Sequence, residues 1–441
     1  MKKIVEKRYV RIEFTLSSPL LISSTASYRT DSDVLRNSRN VPYIPGTSVA
    51  GVVREALDKE GIDVQALFGK VEKNYGDGNA SQTESKVVFN DAVLQDEEGF
   101  SITVRDSVKL DQFKTGVDGS KFDMEVLEPG ARFVTFMEQN AESGDKNILH
   151  TIADLFASGK ITFGSKTTRG FGSIGNVTAK EASFKMTDLI EADSWLEFDP
   201  YKNDGWNDMD LRASESNNTL ILRLELVDGI SIRQYTTETG RKNEPAPDYT
   251  QLAGRNRDSD TVPVIPGSTW AGAFMHRIAQ FGEDLAEYTY EDKEKNQYKG
   301  CYFGLVEGDL KIKSQVVFSE STIEGGGKKV LSRTAIDRFS GSAAKRSLYT
   351  ESAHFGGKCT LNITFKKPMN NSYSQEFINA FAAAVCDLHH GYLAVGGLTA
   401  VGRGVFRVLT VNDNPVRDDD LYSTVRDEIN NINLSFGGKK T

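Results

Sequence analysis

The stretch VPYIPGTSVAGVVREAL at residues 41–57 returns later in the chain as VPVIPGSTWAGAFMHRI at residues 262–278. A repeat of this kind decides architecture before any single element is assigned, because a repeated block means a repeated folding unit. Working outward, four further blocks recur in the same order. LFG ending at Gly69 returns as YFG ending at Gly304, and KVVFNDAV around Phe89 returns as QVVFSEST around Phe318. VKLDQFKTG with Asp111 matches TAIDRFSG with Asp337. ITFGSKTTRGFGSIG (161–175) matches LAVGGLTAVGRGVF (393–406), with Gly164 opposite Gly396. The separation between partners is nearly constant and drifts only slightly, as loop insertions between fixed elements would produce. The 441 residues therefore divide into two domains of one kind: 1–200 and 218–415, with a polar linker at 201–217 and a C-terminal tail at 416–441.

Each half opens with a strand. Val10, Ile12, Phe14 and Leu16 alternate with polar residues, and Leu220, Leu222, Leu224 and Leu226 do the same; this is the period of two of a half-buried strand. After each IPG a helix begins, with Thr47 or Ser268 as its expected cap and Val49, Val53 and Leu57 as its apolar stripe. A second helix, Ile148–Phe156 and then Phe377–Leu388, precedes the glycine-rich block. Strand, helix, strands, helix and glycine-rich strand is an α+β order, and the expectation is two tandem ferredoxin-like (RNA-recognition-like) domains with hairpin insertions.

Apolar residues make up 38% and charged residues 26% of the chain, a folded and not a disordered composition. The three cysteines, Cys301, Cys359 and Cys386, exclude a disulfide framework, and no CxxC pair suggests zinc. No apolar leader or membrane-length run is present, so a reduced, cytoplasmic setting is expected. The 53 basic against 62 acidic residues, a net −9, argue against a wholly basic coat but not against a local basic track. No GxxxxGK[ST] occurs, so an ATP-binding loop is unsupported.

The IPG-[ST] helix block, the IDRF block and the late glycine-rich loop, each found twice in the same order, resemble the RAMP superfamily of CRISPR systems. The backbone subunit of type III effector complexes is the nearest likeness, here in a tandem form. The resemblance implies a subunit that binds CRISPR RNA, pairs it with target RNA beside other type III subunits, and cuts the target as an RNA-guided endoribonuclease with a divalent metal ion, Mg2+ being the usual choice. A hairpin "thumb" from the IDRF-type insertion would enter the base stack, with candidates at Val104–Glu128 and Ser332–Glu351.

In such proteins an aspartate in the loop before IPG does the cutting. In SSTASYRTDSDVLRNSRNVPYIPG that place falls to Asp31, with Asp33 as helper or second ligand and Arg36 beside the RNA. An aspartate can ligate an ion or take the 2′-hydroxyl proton. In PAPDYTQLAGRNRDSDTVPVIPG the counterpart is Asp248, although the spacing is longer; Asp258 and Asp260 lie too close to the motif. Asp31 and Asp248 are also the implied metal ligands. The glycine blocks, with Gly164, Lys166, Arg169 and Gly170 and then Gly396, Gly397 and Arg403, suit close approach to phosphates, as do Arg333, Arg338, Lys345 and Arg346 around the apolar Ile336, Phe339 and Leu348.

Two other readings stay open: a backbone subunit that binds RNA but does not cut, and processing of guide RNA by a histidine among His150, His276, His354, His389 and His390. Carboxylates in a polar loop and glycines in turns also have ordinary structural uses. Asp111 and Asp337 read as turn-fixing residues.

Overall fold

The computed structural model describes residues 4–23, 29–69, 71–72, 81–82, 84–108, 110, 115–202, 204–212, 218–235, 247–255, 260–282, 289–292, 297–299, 302–307, 310–366 and 374–435. Asp111, Phe113, Asp258 and Cys301 lie outside them. The chain forms two compact units. The first comprises Met1–Thr103, Glu125–Thr167 and Phe171–Ser216; the second comprises Val104–Met124, Thr168–Gly170 and Asn217–Thr441.

In the first unit, β1 (Glu6–Leu16) is followed by α1 (Gly46–Lys59), the short strands β2 (Val87–Phe89) and β3 (Ala92–Leu94), the hairpin strands β4 (Ile102–Ser107) and β5 (Phe122–Leu127), then β6 (Arg132–Ala141), α2 (Ile148–Ala157), β7 (Ile174–Lys185) and α3 (Leu189–Glu197). The sheet runs β7-β1-β6-β3, and β2 also pairs with β6. β1 is antiparallel to both neighbours, with Val10 opposite Glu181 on one side and Met137 on the other. The alternation seen in the sequence buries Val10, Ile12, Phe14 and Leu16 against Val53 and Leu57 of α1 and Ile152 and Phe156 of α2. Replacing one of these large side chains by alanine costs about 2–5 kcal/mol.

The second unit repeats the order: β8 (Thr219–Leu226), β9 (Arg233–Tyr235), β10 (Tyr249–Gln251), β11 (Ala253–Arg255), β12 (Thr261–Ile265), α4 (Gly267–Ala279), β13 (Val316–Phe318), the hairpin β14 (Gly327–Arg333) and β15 (Tyr349–Phe355), then β16 (Lys358–Phe365), α5 (Ser374–His390), β17 (Phe406–Val411) and α6 (Leu421–Ser435). Its main sheet runs β13-β16-β8-β17, the same first-fourth, first-third and third-second neighbours as in the first unit. Leu220, Leu222, Leu224 and Leu226 pack on Trp270 and Phe274 of α4 and Phe381 and Val385 of α5. Leu421, Val425, Ile429 and Ile432 of α6 join this core, so most of the C-terminal stretch is a packed helix.

The IPG block is explained by packing. A side chain at Gly46 would place its first carbon 2.5 Å from the Phe89 carbonyl oxygen, and one at Gly267 would lie 2.1 Å from that of Phe318. Each helix starts hard against the strand of its VVF block, and only glycine permits that approach. The expected caps are corrected here. Pro45 and Pro266 hold the cap positions without a side-chain bond, so Thr47 and Ser268 fall inside the first turn. Asp91 takes over that task in the first unit, its carboxylate accepting the Gly46 N–H at 2.7 Å.

Residues 201–202 and 204–212 are tied to the first unit. Asn207 and Asp208 pair with β7, and the Tyr201 and Trp206 rings lie 5.1 and 6.1 Å from that of Phe136. Among the described residues, no helix is long and apolar enough to cross a membrane.

Candidate nucleic-acid interface

The loop after β1 carries the first set of candidates. Asp33, only 7% exposed, turns its carboxylate back on the loop: Oδ2 accepts the Arg29 N–H at 3.1 Å, and Oδ1 accepts the Thr30 N–H at 3.0 Å and hydroxyl at 2.8 Å. This is the local bonding by which aspartate fixes a turn. It presents the neighbouring Asp31 on the surface. The next anchor comes from β5. Buried Glu125 accepts the Val34 N–H at 3.1 Å and ion-pairs with Arg36 at 2.8 Å, while its own N–H donates to the Ser32 carbonyl at 2.9 Å. The Arg36 side chain is only 16% exposed and also donates to the Val34 carbonyl at 3.0 Å. Its charge is therefore engaged in holding the loop. Arg29, 3.9 Å from Glu125 and 70% exposed, is the cation beside Asp31 that reaches solvent.

The second unit builds the same loop. Leu35 N–H donates to the Ile22 carbonyl at 2.7 Å, and Leu252 N–H to that of Ile232 at 2.7 Å. Arg36 bridges Pro42 as Ala253 pairs with Pro263, and Ser23 bridges Val34 as Arg233 pairs with Gln251. Asp31 and Asp248 precede these matched leucines by the same number of residues. They hold equivalent places, and both are exposed. The longer spacing in the second half falls after the aspartate, between Arg255 and Thr261. Asp260 lies within that longer spacing, immediately before β12. Asp248 exchanges bonds with β15: its N–H donates to the Thr350 carbonyl and its Oδ2 accepts the Thr350 N–H, both at 2.8 Å. Oδ1 accepts no hydrogen bond among the described residues.

The glycine-rich loops are also copies. Phe163 N–H donates to the Gly172 carbonyl and Val395 N–H to the Gly404 carbonyl, both at 2.9 Å. Gly172 and Gly404 have φ of 75° and 74°, and a side chain on either would meet the opposing carbonyl oxygen at 1.8 Å. Ser165 N–H bonds to the Leu21 carbonyl and Gly397 N–H to that of Ser231, so each loop sits on the segment leading to its aspartate. Gly164 packs on the Leu21 carbonyl and Gly396 on that of Ser231. Gly170 lies within the second unit against the Phe318 carbonyl, and the carbonyl of exposed Arg169 lies beside Gly267. Lys166 is half-buried at the loop's left-handed turn. These glycines close and pack the loops.

Arg333 and Arg403 come together on a residue that the sequence reading missed. Both approach Oε1 of Glu351, at 3.1 and 3.7 Å. Arg403 is buried, pairs with Asp228 at 3.2 Å and lies 4.4 Å over the Phe355 ring. Arg233 lies 4.5 Å over the Tyr249 ring, next to Asp248. Burial pushes the Tyr249 hydroxyl above its ordinary value, and Glu351 adds to this against the opposing pull of Arg233. Glu125 and Glu351 were legible only as charges within otherwise patterned strands, FDMEVLE and YTESAHF.

The hairpin β14–β15 carries Ile336, Phe339 and Leu348 in the open, Phe339 at 97% exposure, together with exposed Arg338, Lys345 and Arg346. Asp337 fixes its turn, accepting the Ser340 and Phe339 N–H groups at 2.7 and 3.1 Å. These bonds hold its carboxyl below the usual range. The β4–β5 hairpin keeps its base in the first unit, while Val104–Met124 belongs to the second. There buried Arg105 pairs with Glu320, with a second contact at 3.1 Å.

The histidines are drawn into structure. His150 pairs with Glu181 at 2.6 Å, and His354 meets the Gly325 carbonyl at 3.0 Å. His389 Nδ1 accepts the Val408 N–H at 3.1 Å, which leaves Nε2 to donate to Asp418 at 3.1 Å. His390 stacks edge-on against His389, and His276 lies on α4.

This duplicated α+β unit, with its paired loops and glycine turns, defines a class, and the chain belongs to it: the RAMP superfamily, whose family model matches residues 13–175 and again 235–407. No curated protein matches the chain. Among solved structures it is similar to a chain of the cryo-EM structure of the Type III-B Cmr-beta bound to cognate target RNA. That likeness has 18% identity and a TM-score of 0.30, and covers 40% of this chain and 61% of that one. The matched part is thus less than two thirds of that neighbour.

Proposed function

We propose that the protein is a tandem backbone subunit of a type III CRISPR effector complex, which binds CRISPR RNA and cuts paired target RNA at two places, one governed by Asp31 and one by Asp248. The observation that carries this reading is the equivalence of the two aspartates: a duplicated loop, held by different residues in each unit, presents an exposed carboxylate at the same register twice. The strand order of each unit is read as ferredoxin-like, and the β14–β15 hairpin, with its bare Phe339, as a thumb that enters the base stack. Its exposed Arg338, Lys345 and Arg346 suit the RNA backbone. Other subunits of the complex are the expected protein partners.

Each carboxylate would take the proton of a target 2′-hydroxyl. That oxygen then attacks the adjacent phosphorus, the bond to the 5′ oxygen breaks, and the leaving oxygen takes a proton from water. Arg29 in the first unit and Arg233 in the second are placed to offset developing phosphate charge. The family resemblance implies a divalent ion as well. Among the described residues, no three His, Cys, Asp or Glu side chains form a group able to hold one.

The test is the double variant Asp31→Ala/Asp248→Ala, assembled with guide and complementary target. The reading expects guide and target to bind as before and all fragments to disappear. Fragments that persist would leave the non-cutting backbone subunit as the better description.

A further inference from the structure

Glu351 is fully buried, at 0% exposure, and neither of its carboxylate oxygens has a hydrogen-bond partner among the described residues. A buried charge is costly unless paired. Here the pairing is purely ionic and converges from two functional elements: Arg333 reaches Oε1 from the end of the β14–β15 hairpin, and Arg403 reaches it from the glycine-rich loop. A third element is fixed by the backbone. β10, which follows directly on Asp248, runs parallel to β15 with Tyr249 opposite Glu351, and Asp248 itself bonds to Thr350, the residue before Glu351. The hairpin, the glycine loop and the Asp248 loop therefore meet at one carboxylate.

We infer that Glu351 is the positioning residue of the second unit. Its charge locks Arg333 and Arg403 and so holds the hairpin base and the Asp248 loop in one arrangement with the glycine turn. The first unit solves the same problem differently. Counting along the matched strands, Met124 stands where Glu351 does, and Glu125, one residue on, holds the loop through Arg36 and the Val34 N–H. Phe171 stands where Arg403 does. The two cutting positions would thus share a geometry but depend on different residues. The inference about cutting rests on the proposed role of Asp248; the inference about positioning does not.

Because the hold is ionic and not hydrogen-bonded, the near-isosteric Glu351→Gln removes it without opening a cavity. The experiment uses the full chain. Amide hydrogen exchange at Asp248 and Thr350 is compared in the parent, E351Q and E351D, with the Leu35 and Glu125 amides as the first-unit reference. Target fragments are then mapped in the assembled complex. E351Q should speed exchange at Asp248 and Thr350 by about tenfold or more, leaving Leu35 and Glu125 unchanged. It should also lower the Asp248-dependent cut by about tenfold or more with the Asp31-dependent cut within about twofold, and E351D should restore most of both effects. Unchanged exchange at Asp248 and Thr350 overturns the inference. So does a parallel loss of both cuts with a lowered melting temperature and no rescue by E351D. If Asp248→Ala leaves every cut in place, the role of Asp248 fails by itself, and the exchange result still decides that of Glu351.

Discussion

Asp31 and Asp248 occupy the same place in two copies of one loop, each set back equally from a leucine, Leu35 or Leu252, whose N–H bonds at 2.7 Å to the carbonyl of Ile22 or Ile232. Their surroundings have diverged. Asp31 stands beside Asp33, whose carboxylate is consumed in the turn, and beside Glu125 and Arg36. Asp248 stands on a strand pairing beside Thr350, Tyr249 and Arg233.

The glycine turns should be intolerant at some positions and forgiving at others. Gly402 and Gly404 both have positive φ, but a side chain at Gly402 meets nothing within 4 Å whereas one at Gly404 meets the Val395 carbonyl oxygen at 1.8 Å. Gly402→Ala should cost roughly 1 kcal/mol and Gly404→Ala on the order of 3 kcal/mol or more. The urea midpoint of the second unit's transition checks this; equal midpoints would contradict the packing role.

Two arginines of one loop should behave differently. Arg36→Ala leaves Glu125 buried without its close partner and should lower stability by about 2–4 kcal/mol. Arg29→Ala should leave thermal stability unchanged and weaken RNA binding, with a smaller salt dependence because one phosphate contact is lost. Thermal melts and titrations at two salt concentrations separate the effects.

Phe339 buries nothing in the protein at 97% exposure, so Phe339→Ala should not change the melting temperature. Loss of one stacking contact should weaken binding of paired RNA by about 1–3 kcal/mol. Phe274→Ala, in the core, should do the opposite: a loss of about 3–5 kcal/mol in stability. An unchanged affinity for Phe339→Ala would remove the hairpin from the interface.

Asp145 and Lys86 supply a pH signature. Burial opposes ionisation of Asp145, but the Glu142 N–H and the Lys86 ammonium outweigh it and hold the carboxyl below its ordinary 3.8. The hydrogen bond to Asp145, at 2.9 Å, is in turn the main reason that Lys86 is raised above 10.5. A depressed carboxylate stabilises the fold above its unfolded pKa and loses that contribution as pH falls through the folded value. The stability gap between the parent and Asp145→Asn should therefore be full at neutral pH and close below about pH 3.8. Denaturation at a series of acidic pH values measures it.

Much of this was legible in the chain. The doubled blocks gave two domains, and the alternation in β1 and β8 gave the central strands. The catalytic candidate of the second half was harder to place, because a spacing counted back from IPG includes the residues inserted between Arg255 and Thr261, and only backbone register removes them. Glu125 and Glu351 act on loops far away in sequence, so no local motif announces them. Arg36 and Arg403 read as free cations in the sequence; half-buried Arg36 and buried Arg403 are both held in ion pairs, because a strand from elsewhere delivers a carboxylate. The net charge of −9 was uninformative about the exposed cations around Phe339.

The proposed function has one chain cutting at two places, each through its own aspartate. The most direct measurement is end-labelled mapping of target fragments from complexes carrying Asp31→Ala or Asp248→Ala singly. Each variant should lose its own set of cuts and keep the other. Identical fragment patterns in the parent and both variants would contradict it.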